Sequence, residues 1–408
     1  MRHSALAVFS FFVACASRPG GYNAKPIVTY DDDRHPVKKP STYWSSNAWD
    51  GIDEQLFNRM SKTLGIETYK PSVNVNALGE VPDSSWFNNR LGQHTIDLQR
   101  IVRGACPEGA SLDGRTLIAK SGKTDGLNPG FVIEDPETHQ KYLLKFDTNG
   151  QPERGTTADV MGSKMYWAFG YNAPCNFVVI FDRDHVKLAD DAKKTDNAGK
   201  TTALTEEDLE SALAKAWKLP DGRFRASASM FIEGEPIGPW RYEGVKSDDP
   251  NDVVPHQDRR ELRAQRVLNA WLDHYDARDG NTYATFIPTA NGKGYVKHYM
   301  VDFGDLMGSA LPSQEQWSRR LGRQYYIDWG DIGKDLVTLG IPEEPWEKVT
   351  IDPVVPQLGY YEDHVFVPAD WKPGYPNRAF MRMDALDGYW AAQIVVRFTD
   401  ALLDALLD

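Results

Sequence analysis

The sequence predicts an α+β fold, and three segments carry that prediction. Residues 141–147 (KYLLKFD) form a short, mostly apolar run that is typical of a strand. Residues 259–273 (RRELRAQRVLNAWLD) place apolar side chains at helical spacing, and residues 378–407 do so again near the end of the chain. Both periodicities occur in one chain, which indicates a sheet combined with helices.

Composition and charge exclude several classes of function. The 408 residues are 41% hydrophobic and 12% aromatic, which is enough to bury a substantial core. The net charge of −12 argues against a nucleic-acid partner and against electrostatic docking on anionic lipid. The sequence has no HExxH, no CxxC pair, no GxSxG and no Walker loop, so metalloprotease, zinc-ribbon, hydrolase and P-loop functions lack support.

The N-terminus is predicted to be a targeting segment. Residues 1–3 supply a basic start, and residues 5–14 form an apolar run too short to span a bilayer but suited to a secretory signal. Cys15 follows as a candidate bacterial lipidation site, with a plain secretory signal or an unprocessed helix as alternatives. We therefore expect a signal peptide over 1–15, a flexible tether over 16–48, and an extracytoplasmic protein anchored by lipid in the bacterial cell envelope.

Residues 274–304 contain an ordered set of groups suited to phosphoryl transfer. Asp276 lies five residues before Asn281, and Asp302 follows a predicted hairpin over residues 282–301. In such a set, one carboxylate takes or orients the proton of the attacking hydroxyl, while an amide and a second carboxylate hold magnesium. We assign Asp276 as the catalytic base, and Asn281 and Asp302 as the metal ligands.

Two other acid–base residues in this loop receive different assignments. We predict that His274 braces the loop backbone. Asp279 is the rival of Asp276, but its spacing to Asn281 is wrong. If the motif match is coincidental, the whole segment is an Asp/Asn/Gly-rich turn followed by a hairpin.

Lys145 is the candidate nucleotide-binding lysine. It interrupts an apolar strand, and a lysine is costly to bury there unless it has an anionic partner. Asp159, on a helix predicted over 158–169, and Glu153, in the loop before it, are the candidate partners. The alternatives are an edge-strand lysine that faces water, and an Asp159 that is merely an acid favoured near a helix N-terminus.

Two glycines upstream of Lys145 are candidates for contact with the nucleotide phosphates. Gly126 and Gly130 lie in a turn-rich stretch between two predicted strands, where backbone N–H groups can approach an anion. The stretch departs from a GxGxxG pattern, so its assignment rests on composition alone.

These motifs resemble those of the atypical protein kinase-like superfamily, which includes HipA-type kinases, phosphoinositide kinases and spore-coat CotH-type kinases. The chain also looks like a group of bacterial secreted lipoproteins that carry the strings VPDSSWFNNR (81–90), GYNAP (170–174), AWLDHYDARDGN (270–281) and HYMVDFGDLMGS (298–309). The resemblance covers about residues 70 to 400. It implies a bilobal kinase-like fold, with a small β-rich N-lobe and a larger helical C-lobe, and it implies the use of ATP and Mg²⁺. No APE motif follows Asp302, so an ordinary peptide-docking activation segment is not expected.

The resemblance also implies a domain division and a function. We expect an N-terminal extension and N-lobe over 49–240, and a C-lobe over 241–408 with the catalytic loop at 274–281 and the DFG segment at 302–304. The expected activity is ATP- and Mg²⁺-dependent phosphoryl transfer to an unknown protein or small molecule. The alternatives are adenylyl or glutamyl transfer on the same scaffold, and a non-catalytic envelope lipoprotein with a degenerate kinase fold. An oxidising compartment would also permit a disulfide between Cys106 and Cys175.

Overall fold

The computed structural model describes residues 33–43, 51–57, 70–122, 129–195, 200–309, 319–361 and 364–407. Its strands are β1 (Leu117–Gly122), β2 (Gly130–Glu134), β3 (Lys141–Phe146), β4 (Asn176–Phe181), β5 (Val186–Thr195), β6 (Thr201–Ala203), β7 (Phe224–Met230), β8 (Glu235–Gly238), β9 (Thr282–Pro288) and β10 (Gly294–Met300). Its α-helices are α1 (Arg90–Gln93), α2 (Leu98–Arg103), α3 (Arg154–Phe169), α4 (Glu206–Ala214), α5 (Arg260–Leu272), α6 (Trp329–Thr338), α7 (Arg378–Met381), α8 (Ala385–Val395) and α9 (Asp400–Leu407). The predicted signal peptide with Cys15, and Gly126, lie outside the described residues.

A seven-stranded sheet in the order β4-β7-β3-β2-β1-β5-β6 forms the β-rich lobe. Strand β3 lies inside it, and Lys145 stands opposite Gly130 of β2 and Ser227 of β7. Side chains alternate along a strand. Leu144 and Phe146 therefore enter one core together with α4, while Lys145 points to the opposite face, toward α3.

The helical lobe has its own core, which α3 shares. Helices α5 and α8 pack against each other, and their side chains meet Tyr166 of α3 and Phe303 in one apolar cluster. The strands β10-β9-β8 form a second, three-stranded sheet beside this lobe. The predicted α+β class, with a β-rich lobe and a helical lobe, is confirmed.

The N-terminal extension packs on the helical lobe. Trp86 stacks on His298 of β10 with ring centroids 3.5 Å apart, and Phe87 meets Trp390 of α8 at 5.5 Å. Helices α1 and α2 contact α3, α8 and α9. The segment 81–92 therefore lies between α3 and the helical core.

Residues 33–43 correct the predicted tether. Asp33 accepts hydrogen bonds from the backbone N and the hydroxyl of Ser85, at 2.8 and 2.6 Å. Val37 forms a backbone bridge with Gly294, and the N–H of Tyr43 donates to a carbonyl of β8. The flexible segment predicted over 16–48 therefore does not include these residues, because sheet edges and a buried serine hold them.

A disulfide joins Cys106, just after α2, to Cys175, just before β4. It links the extension to the start of a strand in the large sheet. Among the described residues, no helix is both long enough and apolar enough to cross a membrane.

Candidate functional site

Lys145 bridges two carboxylates in the cleft between the lobes. Its Nζ lies 3.0 Å from Oδ1 of Asp159 and 2.9 Å from Oδ1 of Asp302. Burial lowers the pKa of Lys145, but the two carboxylates outweigh burial and raise the pKa above its usual value. The lysine therefore stays charged, and the alternative of an edge-strand lysine that faces water is wrong.

Asp159 is held against the sheet from several sides. Its Oδ2 accepts a hydrogen bond from Ser227 at 2.9 Å, and its side chain is 1% exposed. The helix predicted over 158–169 begins earlier, at Arg154, so Asp159 lies in the second turn. Asp159 therefore pairs with Lys145. The alternative prediction, that it is merely an acid favoured near a helix N-terminus, is wrong.

Glu153 does not share this role. It is the residue before α3 and adopts a left-handed conformation, with φ 61°. Its carboxylate accepts a hydrogen bond from Gln357 at 2.9 Å. Six residues of helix place it about 9 Å along the axis from Asp159. Of the two predicted partners, the structure therefore brings only Asp159 to Lys145.

The catalytic loop holds Asp276 and Asn281 together. The Asn281 amide donates to Oδ2 of Asp276 at 2.9 Å and to its backbone carbonyl at 2.8 Å. Arg278, which the sequence reasoning did not single out, places its Nε 3.1 Å from Oδ1 of Asp276. Burial raises the pKa of Asp276 to about 6, although Arg278 opposes that rise. A carboxylate with this pKa is suited to accept a proton near neutral pH.

His274 and Asp279 each contact a residue outside the catalytic loop, and the brace of the loop backbone by His274 stays a prediction. His274 is buried, and its Nδ1 lies 2.5 Å from the hydroxyl of Tyr166 on α3. Burial lowers the pKa of His274 to about 4, so the ring is neutral at pH 7. The Asp279 carboxylate accepts from the backbone N of Tyr242 at 3.0 Å. This contact favours Asp276 over Asp279 as the reactive acid.

The DFG segment follows β10 with Phe303 fully buried. The Phe303 ring lies 4.8 Å from that of Tyr166 and 6.1 Å from that of His274. Asp302, at φ 61°, keeps a half-exposed side chain that turns toward Lys145. The burial of Phe303 against α3 thus orients the acid that follows β10.

Asp305 is a further acid at this site, and the sequence analysis did not identify it. Burial, and the nearby charges of Asp276 and Asp302, raise its pKa well above the usual value. The sequence signal was available, because the string DFGD places this residue three positions after Asp302. The positive charge of Lys145 lowers the pKa of Asp305 and so offsets part of this rise.

Asn281 and Asp302 have the chemistry that Mg²⁺ requires. The backbone N of Val301 donates to the carbonyl of Asn281 at 3.2 Å, so the amide lies beside the strand that delivers Asp302. The side-chain nitrogen of Asn281 is engaged by Asp276, which leaves the amide oxygen to face other partners. Mg²⁺ takes oxygen ligands, commonly one or two from protein and the rest from phosphate and water. Among the described residues, no group of three or more His, Cys, Asp or Glu is arranged to hold a metal ion.

Gly130 lies in β2, opposite Lys145, rather than in a turn. Its contact with phosphate stays a prediction, as does the role of Gly126. The metal roles of Asn281 and Asp302, and the catalytic role of Asp276, likewise stay predictions.

Comparison with known proteins identifies no family for the chain. No family model matches, and no curated protein matches. Among solved structures, the chain is similar to a crystal structure of the Golgi casein kinase, with 10% identity, a TM-score of 0.27, and coverage of 89% of this chain and 92% of that one. It is similar also to the Golgi casein kinase with Mn/ADP bound, with 11% identity, a TM-score of 0.26 and the same coverage. Likenesses this weak do not place the chain in a family.

Proposed function

We propose that the chain is an ATP- and Mg²⁺-dependent kinase-like transferase that moves the γ-phosphoryl group to a hydroxyl of a protein or small molecule. The observation that carries the proposal is the contact of Lys145 with both Asp159 and Asp302. Asp159 and Asp302 are far apart in sequence, yet the fold brings both carboxylates to one lysine. A nucleotide site needs this group of charges, whereas a stable core does not.

Each residue has a role in the transfer. Asp276, oriented by Asn281 and Arg278, accepts the proton of the acceptor hydroxyl as its oxygen bonds to the γ-phosphorus. The bond from that phosphorus to the β-phosphate oxygen breaks, and ADP leaves. Lys145 contacts the α- and β-phosphates. Asn281 and Asp302 would hold Mg²⁺, which would supply positive charge beside the phosphates.

The cellular location belongs to the same proposal. We propose an extracytoplasmic protein, anchored through a lipid on Cys15. The disulfide between Cys106 and Cys175 supports this location, because disulfides persist in oxidising compartments.

The test is the binding of Mg-ATP to an Asp302→Ala variant. Wild-type protein should show a magnesium-dependent rise in melting temperature with ATP, because a ligand that binds only the folded state stabilises it. Asp302→Ala should lose this rise but still unfold cooperatively. Asp404→Ala removes an exposed acid of α9 and should behave as wild type. An Asp302→Ala variant that binds Mg-ATP as tightly as wild type would show that the metal assignment is wrong.

A non-catalytic envelope protein is the second candidate, and the disulfide favours it too, since ATP is scarce outside the cytoplasm. A stable wild-type protein with no thermal shift at millimolar nucleotide would favour this candidate. If the protein turns over ATP, the product separates the remaining alternatives. ADP indicates phosphoryl transfer, pyrophosphate indicates adenylyl transfer, and a requirement for glutamate indicates glutamyl transfer.

A further inference from the structure

We propose that residues 356–361, here called the interlobe strap, hold the β-rich lobe against the helical lobe, with Gln357 and Glu153 as the positioning pair. The strap would set the spacing between Lys145 and the catalytic loop. Its effect on nucleotide affinity therefore rests on the proposed function. The contact itself lies outside the set of residues assigned to nucleotide or metal.

One end of the strap is fixed to the segment that follows Phe303. The N–H of Gly359 donates to the carbonyl of Met307 at 2.9 Å, and the N–H of Tyr360 donates to that of Gly308 at 3.0 Å. A Cβ on Gly308 would lie 2.5 Å from the backbone N of Tyr361, and a Cβ on Gly359 would overlap Gly308. Two backbones touch here because both positions are glycine.

The other end of the strap contacts the start of α3. Gln357 donates through Nε2 to Oε2 of Glu153 at 2.9 Å. Beside it, Nε of Arg154 donates to the carbonyl of Pro356 at 3.2 Å. Arg154 is only 5% exposed, so the strap carbonyl satisfies a donor of a buried cation.

The start of α3 is in turn fastened to the large sheet. Asp147, directly after β3, accepts hydrogen bonds from the backbone N and the hydroxyl of Thr156. Arg225 of β7 donates to the hydroxyl of Thr157 at 3.1 Å. The sheet and the first turn of α3 therefore form one unit, and a strap that holds that turn also holds the strand that carries Lys145.

The start of α3, which the strap contacts, lies beside the DFG segment. A Cβ on Gly304 of the DFG segment would come within 3.8 Å of the carbonyl of Gly155, in the first turn of α3. A displacement of that turn therefore changes the distance between the sheet and the DFG segment. Nucleotide binding requires both sides, so the strap is coupled to affinity.

The test uses the reciprocal exchange of the two side chains. Gln357→Glu places two carboxylates in contact and should repel the start of α3. Glu153→Gln alone keeps an amide pair that can still hydrogen-bond. The double variant Glu153→Gln, Gln357→Glu restores one donor and one acceptor in the opposite order. Gln393→Glu, which adds the same charge on the exposed face of α8, is the matched control.

Two measurements separate the strap from the proposed function. The first is hydrogen exchange of the backbone amides in the first turns of α3, which needs no nucleotide. The second is the dissociation constant for Mg-ATP. We expect Gln357→Glu to speed exchange and to weaken Mg-ATP binding about fivefold or more, and we expect the double variant to reverse both effects.

The outcomes are decisive for each idea. If Gln357→Glu exchanges like Gln393→Glu, or if the double variant is no better than Gln357→Glu, the strap does not position α3. If exchange follows the expected pattern but wild-type protein binds no Mg-ATP, the strap stands as an interlobe clamp and the proposed function fails. If exchange follows the pattern while Mg-ATP affinity is unchanged in all variants, the coupling to the site is disproved.

Discussion

Asp276 is the residue at which local contacts and the proposed chemistry meet most closely. It receives an amide from Asn281 and a guanidinium from Arg278, and both fix its orientation. Burial and the charge of Asp302 make its proton harder to remove, whereas Arg278 makes it easier. The result is a carboxyl group with a pKa of about 6, close to the range in which a general base works best.

Asp276→Asn should abolish transfer while the affinity for Mg-ATP stays close to that of wild type. The amide keeps the size of the carboxyl group but cannot accept the hydroxyl proton, and the loss of a general base lowers turnover about 10²- to 10⁴-fold. The measurements are product formation and a separate nucleotide titration. Asp279→Asn, in the same loop, keeps the acceptor for Tyr242 and should leave turnover intact. A variant of Asp276 that loses affinity and turnover together would indicate a structural role instead.

The pH dependence gives an independent check on the same residue. The base is competent only when ionised, so turnover should increase as pH increases through about 6 and then level off. Arg278→Lys should shift this midpoint, because it changes the cation beside Asp276. A rate that is flat between pH 5 and pH 8 would contradict the assignment.

Among the elements, the sequence predicted those that are marked by local patterns of apolar and turn residues. The helix before the catalytic loop, the hairpin of β9 and β10, and the strand around Lys145 all followed from periodicity and turn residues. The start of α3 was placed four residues late, because Arg154-Gly155-Thr156-Thr157 has no strong helix pattern and no side-chain cap. That error left Asp159 and Glu153 as equal candidates for Lys145.

Contacts between distant segments were beyond local sequence reasoning. The pair Glu153–Gln357 spans 204 residues, and a lone Gln in a Pro/Gly loop has no pattern that marks its partner. The packing of the extension on the helical lobe is similar, since Trp86 and His298 show no sequence signal that they stack. Motifs predicted the candidate site because its acids and amide occupy a short stretch, whereas packing partners can lie anywhere in the chain.

Helix α3 depends on Gly162 for its contact with the DFG segment. An added Cβ at this position would lie 2.5 Å from Cβ of Phe303, whose ring is fully buried. Gly162→Ala should therefore lower the free energy of unfolding by about 1–3 kcal/mol through overpacking. Gly388→Ala in α8 meets only Met383 at 3.6 Å and should raise it by about 0.5–1 kcal/mol through helix propensity. Urea unfolding of both variants measures the difference, and equal effects would show that Gly162 is not needed for packing.

The end of α5 carries a buried acid that limits stability at high pH. Asp273 adopts φ 47° and accepts a hydrogen bond from the Trp371 indole at 3.0 Å. Burial raises its pKa to about 7, although Arg323 opposes the rise. The unfolded chain loses this proton near pH 4, so the folded state binds it more tightly and its stability falls as pH rises from about 4 to about 7.

Asp273→Asn should therefore be more stable than wild type at pH 8, by about 1 kcal/mol or more. Asparagine keeps the acceptor for Trp371 and tolerates a left-handed backbone. The advantage should shrink toward zero as pH approaches 4, where the wild-type carboxyl is protonated in both states. Urea unfolding at the two pH values measures this, with Asp404→Asn as an exposed control. An advantage that does not depend on pH would contradict the assigned pKa.

At the scale of the whole molecule, the two lobes are joined by more than the chain between β7 and β8. Helix α3 shares a core with the helical lobe, and its first turn is tied to the large sheet. The extension packs on α3 and α8, and residues 33–43 run along the edges of β8 and β10. The position of Lys145 relative to Asp302 thus depends on tertiary contacts among several separate segments rather than on one hinge.

The disulfide between Cys106 and Cys175 is the one covalent tie in this arrangement among the described residues, and it closes a loop of 69 residues. Its loss should lower the free energy of unfolding by about 2–4 kcal/mol, because the unfolded chain gains freedom. We expect the double variant Cys106→Ser, Cys175→Ser to show this loss in urea unfolding, and wild-type protein in reductant to match it. Neither cysteine is among the residues assigned to nucleotide or metal, so the affinity for Mg-ATP should stay unchanged below the melting temperature. A large loss of affinity with little loss of stability would instead show that the disulfide shapes the cleft directly.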